Sequence, residues 1–199
     1  MNLALFDFDG TISNRDSFVL FSRYLNPQKF MLATIALSPR IGGYLCGWYA
    51  NYRLKEDFLG RLYGGRTRAE VDQKASAFCK DVLPTIVRGP ALARIRAHQE
   101  EGDTVVVVSA TPRLVLEPWC RTMGLDIIAT ELEVDEQLRL TGKIHGLNCW
   151  GEEKVVRISA RFDLKSYDQI SAYGDSKGDL PMLRLAGSGR SHFKPFRQQ

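Results

Sequence analysis

Residues 3–11 read LALFDFDGT, four consecutive apolar residues followed by a segment that holds two carboxylates, Asp7 and Asp9. An apolar run without polar alternation is typical of a β-strand that is covered on both faces, as in a parallel sheet. Ligands of open parallel sheets bind beyond the carboxyl ends of the strands, which is where Asp7 and Asp9 lie. This stretch therefore predicts both the kind of sheet and the position of its chemistry.

Farther along the chain, apolar runs alternate with segments that carry helix signals. Prolines open two of these helical segments, and glycines close the same two. A hairpin is predicted over residues 131–144. The alternation predicts an α/β fold with a Rossmann-like parallel sheet and helices on both faces. The predicted strands are residues 3–6, 104–108, 126–130 and 170–174, and the predicted helices are residues 90–101, 112–124 and 151–162.

The segment between the first and second strands has helical periodicity, with apolar residues such as Phe58 and Leu62 one helical turn apart. We therefore predict a helical cap, residues 16–85, inserted after the first strand. The catalytic core would consist of residues 1–15 and 86–199.

Within this cap, four aromatic residues are expected to form its interior rather than a substrate platform. Two cations beside them, Arg53 and Lys55, are candidates to meet the polar end of a substrate. The aromatic residues are Trp48, Tyr49, Tyr52 and Phe58.

Composition narrows the classes of function. The formal charge of +4 is spread along 199 residues without a basic cluster, which suits an anionic small molecule and predicts no nucleic-acid partner. The four cysteines lack the spacing of a zinc site or redox pair, so reduced, packed thiols are expected. Asp7 and Asp9 interrupt the first apolar stretch, unlike in a secretory signal, which predicts a cytoplasmic location.

Residues 30–50 form the one long stretch of apolar character, but Pro39 and the pair Gly42-Gly43 interrupt it. Each piece is too short to cross a bilayer. We expect buried helices here, with a hairpin that makes peripheral contact with a membrane as the alternative.

Polar side chains from distant parts of the sequence converge at the carboxyl edge of the predicted sheet. Asp7, Asp9, Ser109 and Asp175 end or follow strands, and Lys154 comes from the helix before the last predicted strand. So many carboxylates in one place require a neutralising cation. Oxygen donors favour Mg²⁺, whose predicted ligands are Asp7, Asp175 and the backbone carbonyl of Asp9.

The same cluster suits phosphoryl transfer. Lys154, the hydroxyl of Ser109 and the following backbone amides, beginning at Ala110, would hold a phosphate. Asp7 is the candidate nucleophile, and Asp9, two residues along, is the candidate acid and base. Because Asp179 follows Asp175 by four residues, it is a supporting candidate that would pair with Lys154, contact the metal's outer shell, or cap the helix at Leu180.

Four ordered segments resemble the motifs of the haloacid dehalogenase superfamily, in its phosphoserine phosphatase-like branch (subfamily IB). They are DFDGT at residues 7–11, VVVVSA ending at Ala110, GEEK ending at Lys154 and GDSKGD at residues 174–179. The resemblance implies the roles given above, with Gly10 and Thr11 supporting the first motif. It also implies a magnesium-dependent phosphatase whose substrate is a small phosphorylated metabolite or a lipid headgroup phosphate.

Two positions depart from the phosphoserine phosphatases that this chain resembles. Those enzymes carry a Glu where Asp16 stands and an Asn where Gly178 stands, and both positions contact the amino acid. Asp16 stays a substrate-binding candidate, but phosphoserine becomes a minority hypothesis. The surroundings of Asp16 and the apolar cap look more like branch members that include a phosphatidylglycerophosphate phosphatase.

Two alternatives stay open. A phosphotransferase or mutase would pass the phosphate to an alcohol instead of to water. A receiver-type signalling module would hold a phospho-aspartate, although such modules lack a helical insertion after the first strand. The three histidines fall outside the motifs, with His98 expected on a helix surface and His145 and His192 in connecting segments.

Overall fold

The computed structural model describes residues 1–48 and 51–196, and all structural statements refer to these residues. Six strands form a sheet in the order β4-β3-β2-β1-β5-β6. Neighbouring strands are parallel except for the pair β3 and β4, which is an antiparallel hairpin. The strands are β1 (Leu3–Phe6), β2 (Thr104–Pro112), β3 (Asp126–Val134), β4 (Leu140–His145), β5 (Ile170–Gly174) and β6 (Ser191–Phe193).

The α/β class and the parallel sheet predicted from the sequence are confirmed. Strands β2 and β3 extend past the predicted ends by four residues each, and strand β6 was not predicted. The helices are α1 (Ser17–Leu25), α2 (Pro27–Ala36), α3 (Ser38–Leu45), α4 (Asn51–Leu62), α5 (Arg68–Asp81), α6 (Leu83–Ile86), α7 (Gly89–Glu100), α8 (Arg113–Thr122), α9 (Glu152–Arg161) and α10 (Leu180–Leu183).

Strand β1 lies in the middle of the sheet, and all four of its side chains are fully buried. Ala4 and Phe6 pack on one face with residues of the cap and of helix α8. Leu3 and Leu5 pack on the other face with a smaller cluster that includes helix α9. Burial on both faces is the reason that this strand has no polar alternation.

The chain leaves the core and returns to it along two adjacent segments. The amide of Asn14 donates to the carbonyl of Ile86 at 2.8 Å, and the amide of Arg88 donates to the carbonyl of Ile12 at 2.8 Å. Helices α1 to α6 lie between these segments. The division into a cap of residues 16–85 and a core on either side stays a prediction.

The apolar stretch over residues 30–50 is less buried than the sequence predicts. It forms helices α2 and α3 up to residue 45, and no helix in residues 1–48 or 51–196 is long and apolar enough to span a membrane. Helix α2 buries Ala33 but leaves Met31, Leu32 and Ile35 more than half exposed. Short helices broken at Leu37 cannot turn every apolar side chain towards one core.

The expected aromatic interior of the cap is wrong for two of its members. Trp48 is 88% exposed and Tyr52 is 48% exposed. Phe58 packs against Phe30, with ring centroids 6.2 Å apart. Tyr49 lies outside the described residues.

The expectation of reduced cysteines agrees with their geometry, since none of the four forms a disulfide. Cys79, Cys120 and Cys149 are buried as expected, whereas Cys46 is exposed. Burial raises the pKa of the Cys79 thiol to about 11, which leaves this thiol protonated and unreactive at neutral pH.

The histidine placements from the sequence are also corrected. His98 is buried rather than on a helix surface, with Nδ1 2.8 Å from the Asp103 carboxylate and Nε2 2.9 Å from the Tyr173 hydroxyl. His145 and His192 lie in strands β4 and β6 rather than in connections. A buried imidazole needs partners for both nitrogens, and here helix α7 and strand β5 are joined through it.

Replacing Tyr173 by Phe should therefore lower the free energy of unfolding by about 1–3 kcal/mol, because Nε2 of His98 would be buried without a partner. Urea denaturation would measure the loss. Tyr167→Phe is the matched control, since the Tyr167 hydroxyl has no hydrogen bond to the described residues. Equal effects of the two substitutions would argue against a structural role of the His98 contact.

Candidate active site

The carboxyl ends of strands β1, β2 and β5 place Asp7, Ser109 and Asp175 at one edge of the sheet, as the sequence predicts. Lys154, in the first turn of helix α9, reaches the same place. The side chains of Ser109 and Lys154 are each 1% exposed, although both are polar. Burial of polar groups at this density requires that they satisfy one another.

The ammonium of Lys154 is the centre of this arrangement. Its Nζ donates to Asp7 Oδ1 at 2.7 Å, to Asp179 Oδ1 at 2.6 Å and to the carbonyl of Val108 at 2.8 Å. An ammonium has three protons, so these three acceptors use all of its donor capacity. Lys154 therefore joins strands β1 and β2 to the turn that follows strand β5.

The charges of Asp7, Lys154 and Asp179 influence one another's pKa values. Burial raises the pKa of Asp7 to about 7, against the opposing effect of Lys154. For Lys154, burial acts to lower the pKa, but the carboxylates of Asp7 and Asp179 outweigh it and the pKa is raised. Burial likewise acts to raise the pKa of Asp179, yet Lys154 outweighs it and the pKa is lowered. We infer a permanently charged ammonium and a carboxylate at Asp7 that responds to further positive charge.

Asp9 is held apart from this trio by a separate set of donors. Thr111 donates its hydroxyl to Asp9 Oδ2 at 2.6 Å, and the backbone amide of Ser17 donates to Oδ1 at 2.7 Å. Burial, and then the nearby charge of Asp16, raises the pKa of Asp9 to about 6. The two carboxyl groups of the first motif thus have different hydrogen-bond partners, although burial raises the pKa of both.

The predicted metal ligands Asp7 and Asp175 lie close together, and Asp179 joins them. Carboxylate oxygens of Asp7, Asp175 and Asp179 lie within 4.8 Å of one another. The Asp9 carboxylate faces Thr111 and Ser17. Asp9 would therefore bind a metal through its backbone carbonyl, as the sequence predicts. Asp179 is more engaged than expected, since its Oδ2 accepts from both amides and the hydroxyl of residues 175–176 at 2.7–3.1 Å.

These contacts correct one alternative drawn from the sequence, because the Asp179 side chain does not cap helix α10. It pairs with Lys154 instead, as the sequence also proposed. Two features of the first motif fit a cation beside Asp7 and Asp175. Gly10 has φ +84°, and a Cβ there would lie 2.4 Å from Asp175 Oδ2. The buried Thr11 hydroxyl has no hydrogen-bond partner among the described residues.

A cavity of about 390 Å³ opens in front of this cluster. Ser109 Oγ accepts from the amide of Thr111 at 3.0 Å, which orders the turn before helix α8. Asp16 lines the cavity while its Oδ1 caps helix α1 by accepting from the amide of Val19 at 2.9 Å. The residues that carry its polar surface are Asp7, Asp9, Asp16, Lys55, Ser109, Thr111, Asn148, Lys154, Ser176 and Asp179.

Lys55 brings a second cation into this cavity from helix α4. Its ammonium donates to the carbonyl of Ala110 and to Asn148 Oδ1, the latter at 2.9 Å. Burial lowers the pKa of Lys55 to about 8, although Asp16 and Asp9 oppose the shift. Arg53 does not line the cavity, and its Nε bonds the hydroxyl of Tyr52 at 3.1 Å. Of the two cap cations considered from the sequence, Lys55 alone lies at the site.

Sequence reasoning missed Thr111, Asn148 and Trp150. A hydroxyl two residues beyond Ser109 was a usable signal for Thr111, but Asn148 and Trp150 lie in a loop without a recognisable pattern. Trp150 also accounts for Gly178, because a Cβ on that glycine would lie 2.2 Å from the indole Nε1. The ring thus packs directly on the backbone of residue 178.

Fold and site together define a hydrolase of the phosphatase class with a Rossmann-like α/β fold. The chain belongs to the family of haloacid dehalogenase-like hydrolases, whose model matches residues 4–184. This confirms the resemblance seen in the four motifs.

Similar proteins agree with this assignment. Protein CicA of Caulobacter vibrioides is 32% identical over 92% of this chain and 82% of its own length. A histidinol-phosphatase of Neisseria meningitidis is 28% identical over 92% of this chain and 86% of its own length. A substrate-bound phosphoserine phosphatase shares the fold with a TM-score of 0.60 and 22% identity, covering 93% of this chain and 82% of that one.

Replacing Lys154 by Met should destabilise the chelator-treated protein by about 3–5 kcal/mol at pH 8, because two buried carboxylates lose their ammonium. Their pKa values would then rise, so the folded state would bind more protons than the unfolded state between about pH 4 and pH 8. Stability of the variant must therefore fall as pH rises, and the deficit should be smaller at pH 5.

Urea denaturation at pH 5 and pH 8 would measure both values. Lys165→Met is the control, since Lys165 is exposed and far from the site. A deficit that is the same at both pH values would contradict the ion-pair account.

Proposed function

We propose that the chain is a magnesium-dependent phosphomonoester hydrolase that works through an aspartyl phosphate on Asp7. The observation that carries the proposal is the buried contact of Asp7 with Lys154 at 2.7 Å, at the edge of the sheet where a cavity opens. A carboxylate beside a fixed cation is an acceptor for a phosphoryl group, whose negative charge that cation offsets.

In the first half-reaction, a carboxylate oxygen of Asp7 attacks phosphorus while the bond from phosphorus to the ester oxygen breaks. The departing oxygen takes the proton of Asp9, so the products are an alcohol and an acyl phosphate. Asp9 is the proposed acid because its side chain lines the cavity that opens in front of Asp7. Thr111 and Ser17 hold the Asp9 carboxyl in place.

In the second half-reaction, Asp9 takes a proton from water, and the water oxygen attacks phosphorus. The bond between phosphorus and the Asp7 oxygen breaks, which releases inorganic phosphate and restores the carboxylate. Lys154 stays protonated throughout and orients Asp7. The hydroxyl of Ser109 and the amide of Ala110 are the proposed contacts of the phosphoryl oxygens.

Asp7, Asp175 and the backbone carbonyl of Asp9 are the proposed holders of Mg²⁺, with Asp179 in a supporting position. The ion would supply positive charge that lowers the pKa of Asp7 and offsets charge on the phosphoryl group. Gly10 supports this arrangement, because any side chain there would fill the space beside Asp175.

A small phosphorylated metabolite is the proposed substrate. The relatives named as phosphatases support this class, and one of them, the histidinol-phosphatase, is named for a phosphorylated amino alcohol. A cavity of about 390 Å³ is of a size for a phosphate with a short organic group. Asp16, at its wall, is the proposed contact of the organic group.

The position of Asp9 favours turnover of the aspartyl phosphate over the signalling alternative from the sequence. A base held ready beside Asp7 shortens the life of an aspartyl phosphate, which does not suit a signalling module. A phosphotransferase would differ by admitting an alcohol in place of water. Transfer of phosphate to added glycerol faster than to water would favour that alternative.

Replacing Asp7 by Asn should lower magnesium-dependent release of phosphate from 4-nitrophenyl phosphate by about 1,000-fold or more, because an amide does not form the acyl phosphate. A chelator should lower release by the wild-type protein in the same way. Asp81→Asn, on the exposed end of helix α5, is the matched control and should retain activity. A folded wild-type protein with no turnover would refute hydrolysis and direct attention to a stable aspartyl phosphate.

A lipid-linked phosphate is the second candidate substrate, favoured by the exposed apolar side chains Met31, Leu32, Ile35 and Leu45 of helices α2 and α3. If this surface meets a membrane, Leu32→Ser should lower turnover of phosphatidylglycerophosphate in detergent micelles by several-fold while 4-nitrophenyl phosphate is hydrolysed as before. No phosphate released from the lipid, beside an active 4-nitrophenyl phosphate control, would remove this candidate and the proposed membrane contact.

A further inference from the structure

A second cavity, of about 550 Å³, adjoins the active-site cavity. Asn148 and Trp150 line both cavities, so the two are neighbours. We call this second cavity the Trp150 groove. Its remaining walls come from helix α4, the end of strand β4 and the first turn of helix α9, through Tyr52, Glu56, Ile144, Gly146, Leu147 and Glu153.

The walls of the Trp150 groove present large apolar side chains to solvent. Trp150 is 50% exposed, Tyr52 is 48% exposed and Leu147 is 65% exposed. Two aromatic rings and a leucine around a concave surface are typical of a ligand site, since such rings offer flat contact area at little cost in conformational entropy. Their position next to the active-site cavity favours part of the substrate as the ligand.

The indole of Trp150 is held in place by the turn that follows strand β5. A Cβ on Gly178 would lie 2.2 Å from Nε1, and the φ of Gly178 is outside the left-handed region that requires glycine. The amide of Gly151 donates to the carbonyl of Gly178 at 3.0 Å. Residue 178 is thus small because the ring needs the space, and not because the backbone needs the freedom.

Two carboxylates, Glu56 and Glu153, line the groove, and the guanidinium of Arg53 lies 5.8 Å from the centroid of the Tyr52 ring. Glu56 Oε1 accepts from the amide of Ile144 at 3.2 Å, and no described side chain forms an ion pair with it. Glu153 is neutralised by Arg157, at 2.8 Å. Lys55, beside Glu56 in helix α4, faces the active-site cavity and is bonded there. One uncompensated carboxylate therefore remains at an aromatic wall.

We infer that the Trp150 groove binds the alcohol portion of the phosphomonoester and selects a flat ring that carries a positive charge. The phosphate would lie at Asp7 and Lys154, the ring against the indole of Trp150, and the cationic group towards Glu56. An aromatic face and a carboxylate both attract a cation. This inference rests on the proposed function, since it names the kind of ester that the same site hydrolyses.

Three phenyl phosphates with equally reactive leaving groups test the inference: the para-(2-ammonioethyl), para-ethyl and para-(2-carboxyethyl) esters. The wild-type protein should hydrolyse the ammonium ester with a kcat/KM about fivefold above that of the neutral ester, and the carboxylate ester should be slowest. Equal values, or a preference for the carboxylate ester, would overturn the inference.

Glu56→Gln should bring the ratio of kcat/KM between the ammonium and neutral esters close to one. The glutamine oxygen can still accept from the amide of Ile144, so the fold of the groove is preserved. Glu136→Gln, in the exposed turn between strands β3 and β4, is the matched control and should keep the wild-type ratio. A ratio that Glu56→Gln leaves unchanged would show that Glu56 does not meet the cation.

The role of the ring is tested separately. Trp150→Ala should raise KM for the neutral ester about tenfold, by more than it raises the inhibition constant of inorganic phosphate, which has no ring. Gly178→Ala should raise the same KM in the wild-type background by displacing the indole, but should add little in the Trp150→Ala background. Equal effects of Gly178→Ala in both backgrounds would contradict the contact between ring and ester.

Failure of the proposed function is distinguishable from failure of the inference. If no ester is hydrolysed with magnesium, the proposed function fails, and calorimetric binding of the three esters then tests the groove alone. Tighter binding of the ammonium ester would uphold the inference. Equal binding of the three esters, or no binding, would overturn it.

Discussion

The buried ammonium of Lys154 is the constraint on which the site depends. It occupies a place among Asp7, Asp179 and the carbonyl of Val108 where water is excluded, so its charge and three protons must be satisfied by those groups alone. Strand β1 supplies one partner, strand β2 another, and the turn after strand β5 the third. The order of the central strands and the placement of helix α9 are therefore fixed together with the site.

This constraint also explains how the two acids of the first motif come to differ. Asp7 shares its environment with a fixed cation, whereas Asp9 is turned towards Thr111 and Ser17, and no ammonium bonds its carboxylate. Residues i and i+2 of an extended strand lie on the same side, but strand β1 ends at Phe6, and the chain turns through residues 7–10. The turn after the strand therefore allows the two carboxyl groups to meet different partners.

Much of this arrangement could be predicted from the sequence because it depends on local rules. Apolar runs followed by Asp7, Ser109 and Asp175 mark the carboxyl-terminal parts of three strands, although strand β2 continues to Pro112. Parallel strands bring these parts together. The exposed faces of helices α2 and α3 could not be predicted, since apolar content alone does not say which neighbour a helix finds. Burial of His98 was missed for a similar reason, because its partner Tyr173 is 75 residues away.

The contacts of Trp150 belong to the same group of long-range features. No pattern in the sequence links this residue to Gly178. In the structure, the turn after strand β5 lies beside the loop before helix α9, and the indole occupies the space that a side chain at residue 178 would need. The phosphate end of the site is built from strand ends and so follows from topology. The groove beside Trp150 is built from loops, helix α4 and the end of strand β4, and no pattern in the sequence brings these side chains together. The reaction type is therefore easier to predict from this sequence than the substrate, because the candidate catalytic residues follow strands whereas the groove residues lie mostly in loops and helix α4.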